Sequence, residues 1–550
     1  MNDENGRLPS GWFQATGEDL FEFLRGISYK KTDVLTAPSD DSVTILRAGN
    51  LQDGRIVFDD LVHVPESYVR DEQRIRKGDL IIAMSSGSAT VVGKVAVVDK
   101  DMPRVSFGAF CGLLRPRTQE YSHWLSEFFQ TKDYRDLISS LAAGININNL
   151  RREYLYDLSI PVPPISEMQR LEKKIEALQE RSQRAREALS EVGTLLEQFR
   201  QSVLAAAFRG DLTTDWRTAH PNVEPASELL CRIRAERRHR WEQTALAKYE
   251  AKGQKPPKNW QDKYEEPEPV DDSYLPALPE GWCWAGLEEL KDLSPNSMTD
   301  GPFGSKLKTS HYSSSGIRVV RLGNIGVGHF NASNEAFIPE VHYEELRKHE
   351  IFAGDLVIAA LAEPVARCCK IPPSIDKAIV KADCIRFRPH PSVLSEIVMH
   401  WLNSGTGRRL AEIASHGIGR LRINMENLRP LPVALPPVDE QIEIVARITG
   451  QLAGIARIEE QVSSYNEDLD QLDQSILAKA FRGELVRQDP NDESAAALLA
   501  RIREQKTQQT EAAKHKQKTS MPQRGNKMSE ESSRLTPQQL TLAEMLLTKD

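Results

Sequence analysis

The run Ala207-Phe208-Arg209-Gly210 returns as Ala480-Phe481-Arg482-Gly483, and both runs close a longer stretch that decides the fold. Residues 150–210 are repeated as residues 423–483 without an insertion, at a constant offset of 273 residues. An internal repeat of this kind means that one structural unit is used twice. The sequence therefore predicts a pseudo-symmetric molecule with two related half-functions.

Each copy of the stretch carries a heptad pattern, with steps of four and three residues between its apolar or small members. The members in the first copy are Leu171, Ile175, Leu178, Ser182, Ala185, Leu189, Val192, Leu196, Phe199, Val203 and Ala206. Those in the second copy are Ile444, Ile448, Gln451, Ile455, Ile458, Val462, Tyr465, Leu469, Leu472 and Ile476. One narrow stripe on each helix predicts that the two helices pack on each other as a coiled coil. Ordinary core helices of a bundle are the alternative.

The ends of both helices carry their own signals. A proline pair precedes Ser166, which forms a capping-box pattern with Gln169, and another precedes Asp439, the expected N-cap of the second helix. Gly210 and Gly483 are the expected C-terminal stops. The 45 residues of the first helical stretch would make a rod of roughly 65 to 70 Å.

About 150 residues precede each helix, and these two regions are distant relatives of each other. The matching landmarks are Leu8-Pro9-Ser10-Gly11-Trp12 with Leu278-Pro279-Glu280-Gly281-Trp282, residues 47–51 with 321–325, and residues 78–83 with 354–359. Short β-rich runs at residues 80–83, 91–98, 317–322 and 356–360 alternate with turn residues, so each region is predicted to be a mixed α/β globule. A shared scaffold with divergent loops suits two binding units of different specificity, although neutral drift of an old duplication explains the divergence as well.

These landmarks divide the chain into six segments. A shorter amphipathic signal follows each long helix, at residues 229–234 and 498–503, and a linker rich in Pro, Lys and Glu joins the halves. The predicted segments are a first globule at 1–160, a first long helix at 161–217, a short helix and charged linker at 218–275, a second globule at 276–432, a second long helix at 433–487, and a short helix with a largely disordered basic tail at 488–550.

Composition excludes several classes of protein. The chain has 550 residues, 40% of them apolar and 27% charged, which is ordinary for a globular protein of several domains. No signal region opens it and no apolar run is long enough to cross a bilayer, so a cytoplasmic protein without a membrane partner is expected. Six cysteines show no metal-ligand spacing and are expected to be reduced structural thiols.

The charge distribution matters more than the net charge of −8, which by itself argues mildly against nucleic acid. Residues 301–323 carry four basic residues and no acid, and residues 364–388 carry six basic residues against two acidic ones. Acidic residues concentrate instead at 262–272. Because counterion release depends on local contacts, a positive groove on an acidic body would still attract phosphate.

A search for catalytic signatures finds none. Gly93-Lys94 is the nearest approach to a phosphate loop, but Ser88 stands where the first glycine belongs and Val95 where a magnesium-binding hydroxyl belongs. The turn at residues 301–306 lacks the strand and spacing of a dinucleotide site, so a structural turn is favoured. Isolated histidines lack partners at metal or triad spacing. No catalytic residue, metal or cofactor of its own is therefore expected in this chain.

The remaining chemistry lies in polar and cationic side chains of the two globules. Arg and Lys can bond guanine O6 and N7, Asn and Gln can bond adenine N6 and N7, and Ser can bond bases or phosphates. The candidates for DNA binding are Arg47, Asn50, Ser85, Ser86 and Lys94 in the first globule and Lys306, Lys308, Arg321, Asn324, Arg367, His416, Arg420 and Arg422 in the second. Any one of them could instead be a solvated residue or a fold-determining contact, and Asn50 with Asn324 would then shape a repeated turn.

Taken together, these motifs resemble one family. Two divergent α/β regions each open with Leu-Pro-x-Gly-Trp and end in Pro-Pro before a long helix that closes on Ala-Phe-Arg-Gly, which is the pattern of the specificity subunits of type I restriction-modification systems. The resemblance runs from Leu8 to about Arg503 and includes Gly301-Pro302-Phe303-Gly304-Ser305 and the run from Pro436 to Gln441. The first copy departs from it by lacking the Gly-Pro-Phe-Gly turn and by having Met168 where the second has Gln441.

The resemblance implies two target-recognition domains, each reading one half of a bipartite, asymmetric DNA site, separated by two long antiparallel coiled-coil helices that act as a ruler. Such a subunit is not catalytic. It implies double-stranded DNA, two modification subunits and two restriction subunits as partners, with S-adenosylmethionine, ATP and Mg²⁺ bound by those partners. Phe208, Arg209, Phe481 and Arg482 are the candidates for partner contact, with packing inside the chain as the alternative.

Two other functions stay open at this point. A coiled-coil scaffold whose globules bind protein and never DNA would show the same repeat. An enzyme with an unrecognised active site is the third reading, and methylation or cleavage of DNA by the purified chain alone would support it.

Overall fold

The computed structural model describes residues 8–52, 54–88, 90–143, 150–417 and 420–504, and it divides the chain into two compact units. The first unit combines Met1–Arg184 with Asp468–Asp550, and the second is Ala185–Glu467. Each unit thus contains one globule and a part of both long helices. The predictions for residues 505–550 lie outside the described residues.

Twelve α-helices are named among the described residues, and two of them are far longer than the others. In chain order they are α1 Gly17–Leu20, α2 Ser122–Gln130, α3 Lys132–Ala143, α4 Arg152–Tyr156, α5 Ile165–Phe208, α6 Thr214–Ala219, α7 Ala226–Ala251, α8 Glu340–Glu345, α9 Ser395–Asn403, α10 Gly405–Ile413, α11 Met425–Leu428 and α12 Val438–Phe481. The long helices α5 and α12 have 44 residues each. A further helical segment begins at residue 495.

Short strands make up the rest of each globule. Those of the first unit are β1 Phe13–Thr16, β2 Phe21–Arg25, β3 Ser42–Leu46, β4 Leu51–Gln52, β5 Arg55–Ile56, β6 Val62–Pro65, β7 Leu80–Ala83, β8 Val95–Val97, β9 Val105–Phe107, β10 Cys111–Pro116 and β11 Ser159–Val162. Those of the second unit are β12 Cys283–Gly286, β13 Met298–Asp300, β14 Ile317–Val320, β15 Phe337–Ile338, β16 Glu350–Ile351, β17 Leu356–Ala359, β18 Cys368–Lys370, β19 Ala378–Val380, β20 Cys384–Phe387 and β21 Pro432–Leu435.

The two units share one sheet topology. The first unit has an antiparallel sheet in the order β2-β10-β7-β8, a sheet β6-β3-β9 with one parallel pair, and the pair β1-β11. The second has the corresponding sheets β13-β20-β17-β18, β15-β14-β19-β16 and β12-β21, and its mixed sheet contains one strand more, β16. In both units the central strand, β7 or β17, is buried on both faces because helices and a second layer cover it. The repeat seen in the sequence is therefore a repeat of architecture.

Both long helices begin one residue after their proline pair, earlier than the sequence signals suggested. Ser166 and Asp439 lie inside the first turn, so the predicted N-cap positions are wrong. Proline has a fixed φ and no N–H to leave unpaired, so it suits the residue at a helix start without a side-chain cap. The C-terminal prediction is confirmed, since Gly210 and Gly483 adopt φ values of 79° and 72°, in the left-handed region that glycine favours.

The heptad prediction is confirmed for much of the first helix but is wrong at five positions, one of which is the exposed Gln451 on α12. Phe199 on α5 and Ile458, Tyr465 and Leu472 on α12 are between 42% and 55% exposed. From Gln451 onwards on α12, every second predicted member is exposed, and the members between them, such as Ile455 and Ile476, are buried or half-buried. Two helices cover only a narrow stripe of each other, so a wider apolar face stays partly exposed where no third element covers it.

The repeated motifs meet in each unit. In the second unit, a Cβ built on Gly210 would come within 2.5 Å of Pro279 Cγ, so the end of α5 lies directly against the start of that globule. In the first unit the corresponding Cβ on Gly483 would come within 2.6 Å of Pro9 Cγ. Only glycine allows this close approach. Each unit therefore joins the start of one long helix to the end of the other, which makes the two segments antiparallel within each unit.

The first unit attaches its globule to the long helices through acidic side chains. Glu127 on α2 accepts a hydrogen bond from Gln179 on α5 at 3.1 Å. Burial raises the pKa of Glu127 to about 7, and the charge of Asp473 on α12 adds to this shift. Burial also raises the pKa of Glu172 to about 7, with Glu127 and Glu176 adding to it. Deprotonation of this carboxyl cluster near neutral pH is expected to weaken the attachment.

The second unit has a histidine at the equivalent position. His400 on α9 stands 273 residues after Glu127, and both α2 and α9 are followed by a hydroxyl residue whose side chain donates to the carbonyl oxygen three residues earlier. Burial lowers the pKa of His400 to about 4, although the charge of Glu396 acts in the opposite direction. The titrations of Glu127 and His400 are therefore expected to affect stability in opposite directions as the pH changes.

Replacing Glu127 by Gln is expected to stabilise the first unit at about pH 8 and to change little at about pH 5. The protonated carboxyl of Glu127, with its raised pKa, contributes stability that is lost as the pH rises from about 4.5 to about 7. The expected loss in the free energy of unfolding is on the order of a few kcal/mol. For His400, with a lowered pKa, stability is lost as the pH falls from about 6.5 to about 4. Urea unfolding of the full chain across this pH range measures both effects. The control is Glu120→Gln, at an exposed position. An equal gain in the free energy of unfolding from Glu120→Gln and Glu127→Gln at about pH 8 would contradict the raised pKa of Glu127.

Candidate nucleic-acid interface

Two of the predicted DNA-binding residues of the first unit hold a turn in place. The buried Asn50 accepts a hydrogen bond from the backbone N–H of Arg47 at 2.8 Å and donates to the carbonyl oxygens of Val57 at 3.0 Å and Asp59 at 2.7 Å. Both N–H groups of its amide are therefore used within the chain. Asn50 is not available to read a base.

The second unit contains the same turn. Asn324 accepts from the backbone N–H of Arg321 at 2.9 Å and donates to the carbonyl oxygens of Asn331 and Ser333, both at 3.0 Å. It is buried as well. The hydrogen bonds of Asn50 and Asn324 therefore agree with the interpretation that these two residues shape a repeated turn.

The two arginines of this turn differ in their electrostatic surroundings. The guanidinium of Arg47 forms an ion pair with Asp60 at 2.5 Å, whereas that of Arg321 bonds the side-chain and backbone oxygens of Asn334, both at 2.6 Å. Asp60 and Asn334 both have positive φ values, so each arginine fixes an equivalent loop. Asp60 offsets the positive charge of Arg47 in the first unit. Because Asn334 is neutral, it leaves the positive charge of Arg321 in the second unit without such an offset.

A loop after the central strand β7 carries the other candidates of the first unit. The backbone N–H groups of Met84 and Ser85 both donate to the carbonyl oxygen of Phe110, at 2.8 Å and 3.1 Å. Ser86 and Lys94 are half-buried in the same loop. The ring of Phe110 is 70% exposed, which makes it the most exposed aromatic side chain of the described residues. Phe110 is not among the residues predicted from the sequence, where the one sign of it is an aromatic residue between two short β-rich runs.

Arg367 of the second unit supports the repeated turn rather than standing free. Its guanidinium donates to the carbonyl oxygens of Ile325 at 2.7 Å, Leu322 at 3.1 Å and Glu363 at 3.2 Å. Three bonds to backbone carbonyls tie the loop after β17 to the turn at Asn324. The predicted role of Arg367 in base reading therefore competes with a role in holding two loops together.

Three loops of the second unit meet around Arg422. Its Nη2 lies 2.9 Å from Asp383 Oδ1, and its guanidinium carbon lies 5.6 Å from the centre of the Phe303 ring. Burial raises the pKa of the neighbouring Asp300 to about 6, with the charge of Asp383 adding to the shift and Arg422 opposing it. Phe303 and Asp383 were not selected from the sequence, because the turn at 301–306 was interpreted as structural and acids do not attract DNA.

The remaining candidates of the second unit are exposed. Lys306 and Lys308 follow Phe303 in the same loop, and His416 and Arg420 lie in the hairpin that leads into Arg422. These side chains and Arg422 belong to adjoining loops of one unit. The arrangement gives that unit a cationic surface with an aromatic ring, which is suited to phosphates and bases.

The candidates for partner contact divide into two kinds. The ring of Phe208 is buried at 5.1 Å from that of Trp401, and the ring of Phe481 is buried at 4.1 Å from that of Trp124. These two aromatic rings therefore pack inside the chain. Their neighbours Arg209 and Arg482 are at the surface, where each pairs with the acid two residues later, Asp211 or Glu484.

No group of three or more His, Cys, Asp or Glu side chains suited to a metal ion occurs among the residues that the structure describes. Over the same residues, no helix combines the length and apolar character needed to cross a membrane.

Comparison with known proteins identifies close relatives in sequence. The chain is 30% identical to the specificity subunit of the type I restriction enzyme EcoKI of Escherichia coli strain K12, over 90% of this chain and 96% of the relative. It is 31% identical to the StySPI specificity subunit of Salmonella potsdam over the same shares of both chains. No family profile matches the chain.

Comparison with solved structures supports the architecture. A chain from a study of the assembly of a type I restriction-modification system has a TM-score of 0.54 to this one at 19% identity, and covers 87% of this chain and 99% of its own length. At that identity the likeness concerns the fold alone. It confirms the predicted class of fold, with two α/β globules and two long helices.

Proposed function

The chain belongs to the specificity subunits of type I restriction enzymes, and from this premise we propose that each of its two globules reads one half of a bipartite, asymmetric DNA sequence. The observation that carries the proposal is the repeated scaffold with different loops. One unit presents Phe110 and an Arg47 whose charge Asp60 offsets, and the other presents Arg321, Arg422 and Phe303. Identical scaffolds with unlike surfaces are suited to two half-sites of different sequence.

The structure narrows the residues that we propose for DNA contact. Asn50, Asn324 and Arg367 use their polar groups to hold loops, and we assign them a supporting role. The proposed contacts are Ser85, Ser86, Lys94 and Phe110 in the first unit, and Phe303, Lys306, Lys308, His416, Arg420 and Arg422 in the second, with Arg47 and Arg321 at the edge of each surface.

Partner subunits complete the proposed complex. We propose that two modification subunits and two restriction subunits assemble on this chain, and that they bind S-adenosylmethionine, ATP and Mg²⁺ for adenine methylation and cleavage. Within the second unit, Leu195, Phe199, Ile458 and Tyr465 expose large apolar side chains on the long helices. Exposed apolar patches on long helices are typical protein-binding surfaces. Arg209 and Arg482 are the proposed polar contacts at the helix ends.

Binding of the full chain to duplexes selected from a random pool tests the proposed function. We expect the selected duplex to bind at least about tenfold more tightly than a shuffled one, with an affinity that falls as salt rises because phosphate contacts release counterions. Filter binding at several salt concentrations measures both quantities. A salt-dependent affinity without sequence preference, or no binding to DNA, would instead support a scaffold that binds only protein.

A further inference from the structure

Arg422 is a candidate DNA contact of the second unit that has both an acidic partner and an aromatic neighbour. We propose that Arg422, braced by Asp383 and stacked on Phe303, recognises a guanine in the half-site that the second unit reads. This inference rests on the proposed function and names the base that one part of the surface selects.

The backbone of Arg422 is held by the core of its unit. Its N–H donates to the carbonyl oxygen of His416 at 2.9 Å, and its carbonyl oxygen accepts from the N–H of His416 at 3.0 Å. The next residue, the fully buried Ile423, donates its N–H to the carbonyl oxygen of Ala360 at 2.9 Å. Arg422 thus lies where a surface hairpin joins the interior. Its Cα position is fixed, unlike that of a residue at a loop tip.

The position of Asp383 is fixed as well. Asp383 has a φ of 66°, and its carbonyl oxygen accepts from the N–H of Ala360 at 2.8 Å, so the same residue of the core anchors both Asp383 and the segment of Arg422. The turn that carries Phe303 begins at Gly301, where a Cβ would come within 2.1 Å of the backbone of Lys381. Only glycine permits this contact, and it places the aromatic turn beside the turn of Asp383.

The guanidinium is left with one usable edge. Nη2 contacts Asp383, and the buried Nε has no hydrogen-bond partner, whereas the side chain as a whole remains 40% exposed. Within the described part of the chain, Nη1 has no protein acceptor. The edge formed by Nη1 and the second hydrogen of Nη2 has the fork geometry that bonds guanine O6 and N7 together.

The surrounding charge favours a base over a phosphate. Asp383 offsets the charge of Arg422 directly, and the carboxyl of Asp300 lies in the same cluster. A neutralised arginine gains little from a polyanion and keeps its directional donors. Lys308 is the contrast, because it is exposed and has no carboxylate partner among the described residues. It is expected to contact phosphate without regard to sequence.

The test compares variants of the full chain on duplexes that differ by one base pair in the second half-site. Arg422→Lys keeps the charge but loses the fork, so it is expected to reduce discrimination at one G·C pair by roughly 5- to 150-fold while leaving the first half-site unchanged. Asp383→Asn and Phe303→Ala are expected to reduce discrimination at that same pair. Lys308→Ala should weaken binding to all duplexes equally and lower the salt dependence.

The outcomes separate this inference from the function on which it rests. A wild-type chain without sequence preference would reject the proposed function itself. A sequence-specific wild type whose second half-site holds no G·C pair, or an Arg422→Lys variant with discrimination intact at every position, would reject only the guanine assignment. Equal weakening on every duplex, as for Lys308→Ala, would identify Arg422 as a phosphate contact and would also overturn it.

Discussion

Adding seven residues to each long helix is expected to lengthen the unread spacer of the DNA target by about three base pairs, while both half-sites keep their sequences. The insertions belong after Arg184 in α5 and after Glu467 in α12, where each helix passes from one unit to the other. Seven residues are two helical turns, and they preserve the heptad phase of the seam. Mapping of methylated sites after co-expression with modification subunits measures the spacer.

A matched control distinguishes the effect of a longer rigid helix from the effect of added residues alone. Seven residues rich in Gly and Ser at the same two positions would add contour length without a rigid rise, so we expect a blurred spacing or lost modification. Altered half-sites with an unchanged gap would reject the role of the helices as a ruler. So would identical spacers for the helical and the flexible insertions.

Replacing Glu440 by Ala is expected to destabilise the second unit by about 3 to 5 kcal/mol, because it removes one partner of a buried ion pair. The fully buried carboxylate accepts hydrogen bonds from Thr213 at 2.6 Å, Arg217 at 2.6 Å and Trp282 Nε1 at 2.8 Å. These bonds connect the start of α12, the segment after α5 and the opening motif of the globule. Urea unfolding of the full chain measures the loss.

The control lies one turn along the same helix. Glu443 pairs with Arg447 at 2.6 Å, and both side chains are 32% exposed, so Glu443→Ala is expected to cost at most about 1 kcal/mol. Glu440→Gln keeps an acceptor for Trp282 and should fall between the two. Equal unfolding midpoints for Glu440→Ala and Glu443→Ala would show that the buried network does not hold the unit together.

In the second unit the same network joins two of the repeated sequence motifs. Trp282 belongs to the Leu-Pro-x-Gly-Trp run and Glu440 follows the proline pair, so residues far apart in the chain conserve one contact between them in the second unit. In the first unit Glu167 is buried at the equivalent position, and burial raises its pKa. There the neighbouring Arg170 pairs with Asp492 at 2.6 Å. The motifs are thus joints between a globule and the long helices.

The repeat made the architecture predictable, since strands such as Leu80–Ala83 and the glycine stops at Gly210 and Gly483 lie where the patterns place them. Heptad members such as Tyr465 were misassigned because a sequence shows an apolar stripe but not the width that a partner covers. The helices begin earlier than predicted because the carbonyl oxygens of Pro164 and Pro437 already accept the first helical hydrogen bonds, at 2.8 Å and 2.9 Å.

The candidate site was less predictable than the fold. A polar residue type does not show whether its groups are already bonded within the chain, as those of Asn50 and Arg367 are. The cluster around Arg422 joins residues 303, 383 and 422, which only the tertiary fold brings together. Aromatic and acidic members of such a cluster carry no signal in a search for cationic DNA contacts.

The most direct test is a binding scan in which every base pair of the selected duplex is replaced in turn and the affinity of the full chain is measured. Two blocks of sensitive positions with different sequences, separated by a run of insensitive ones, are the predicted result, and variants of the second unit should alter one block alone. A single uninterrupted block, or variants of one unit that change both blocks together, would contradict the assignment of one half-site to each globule.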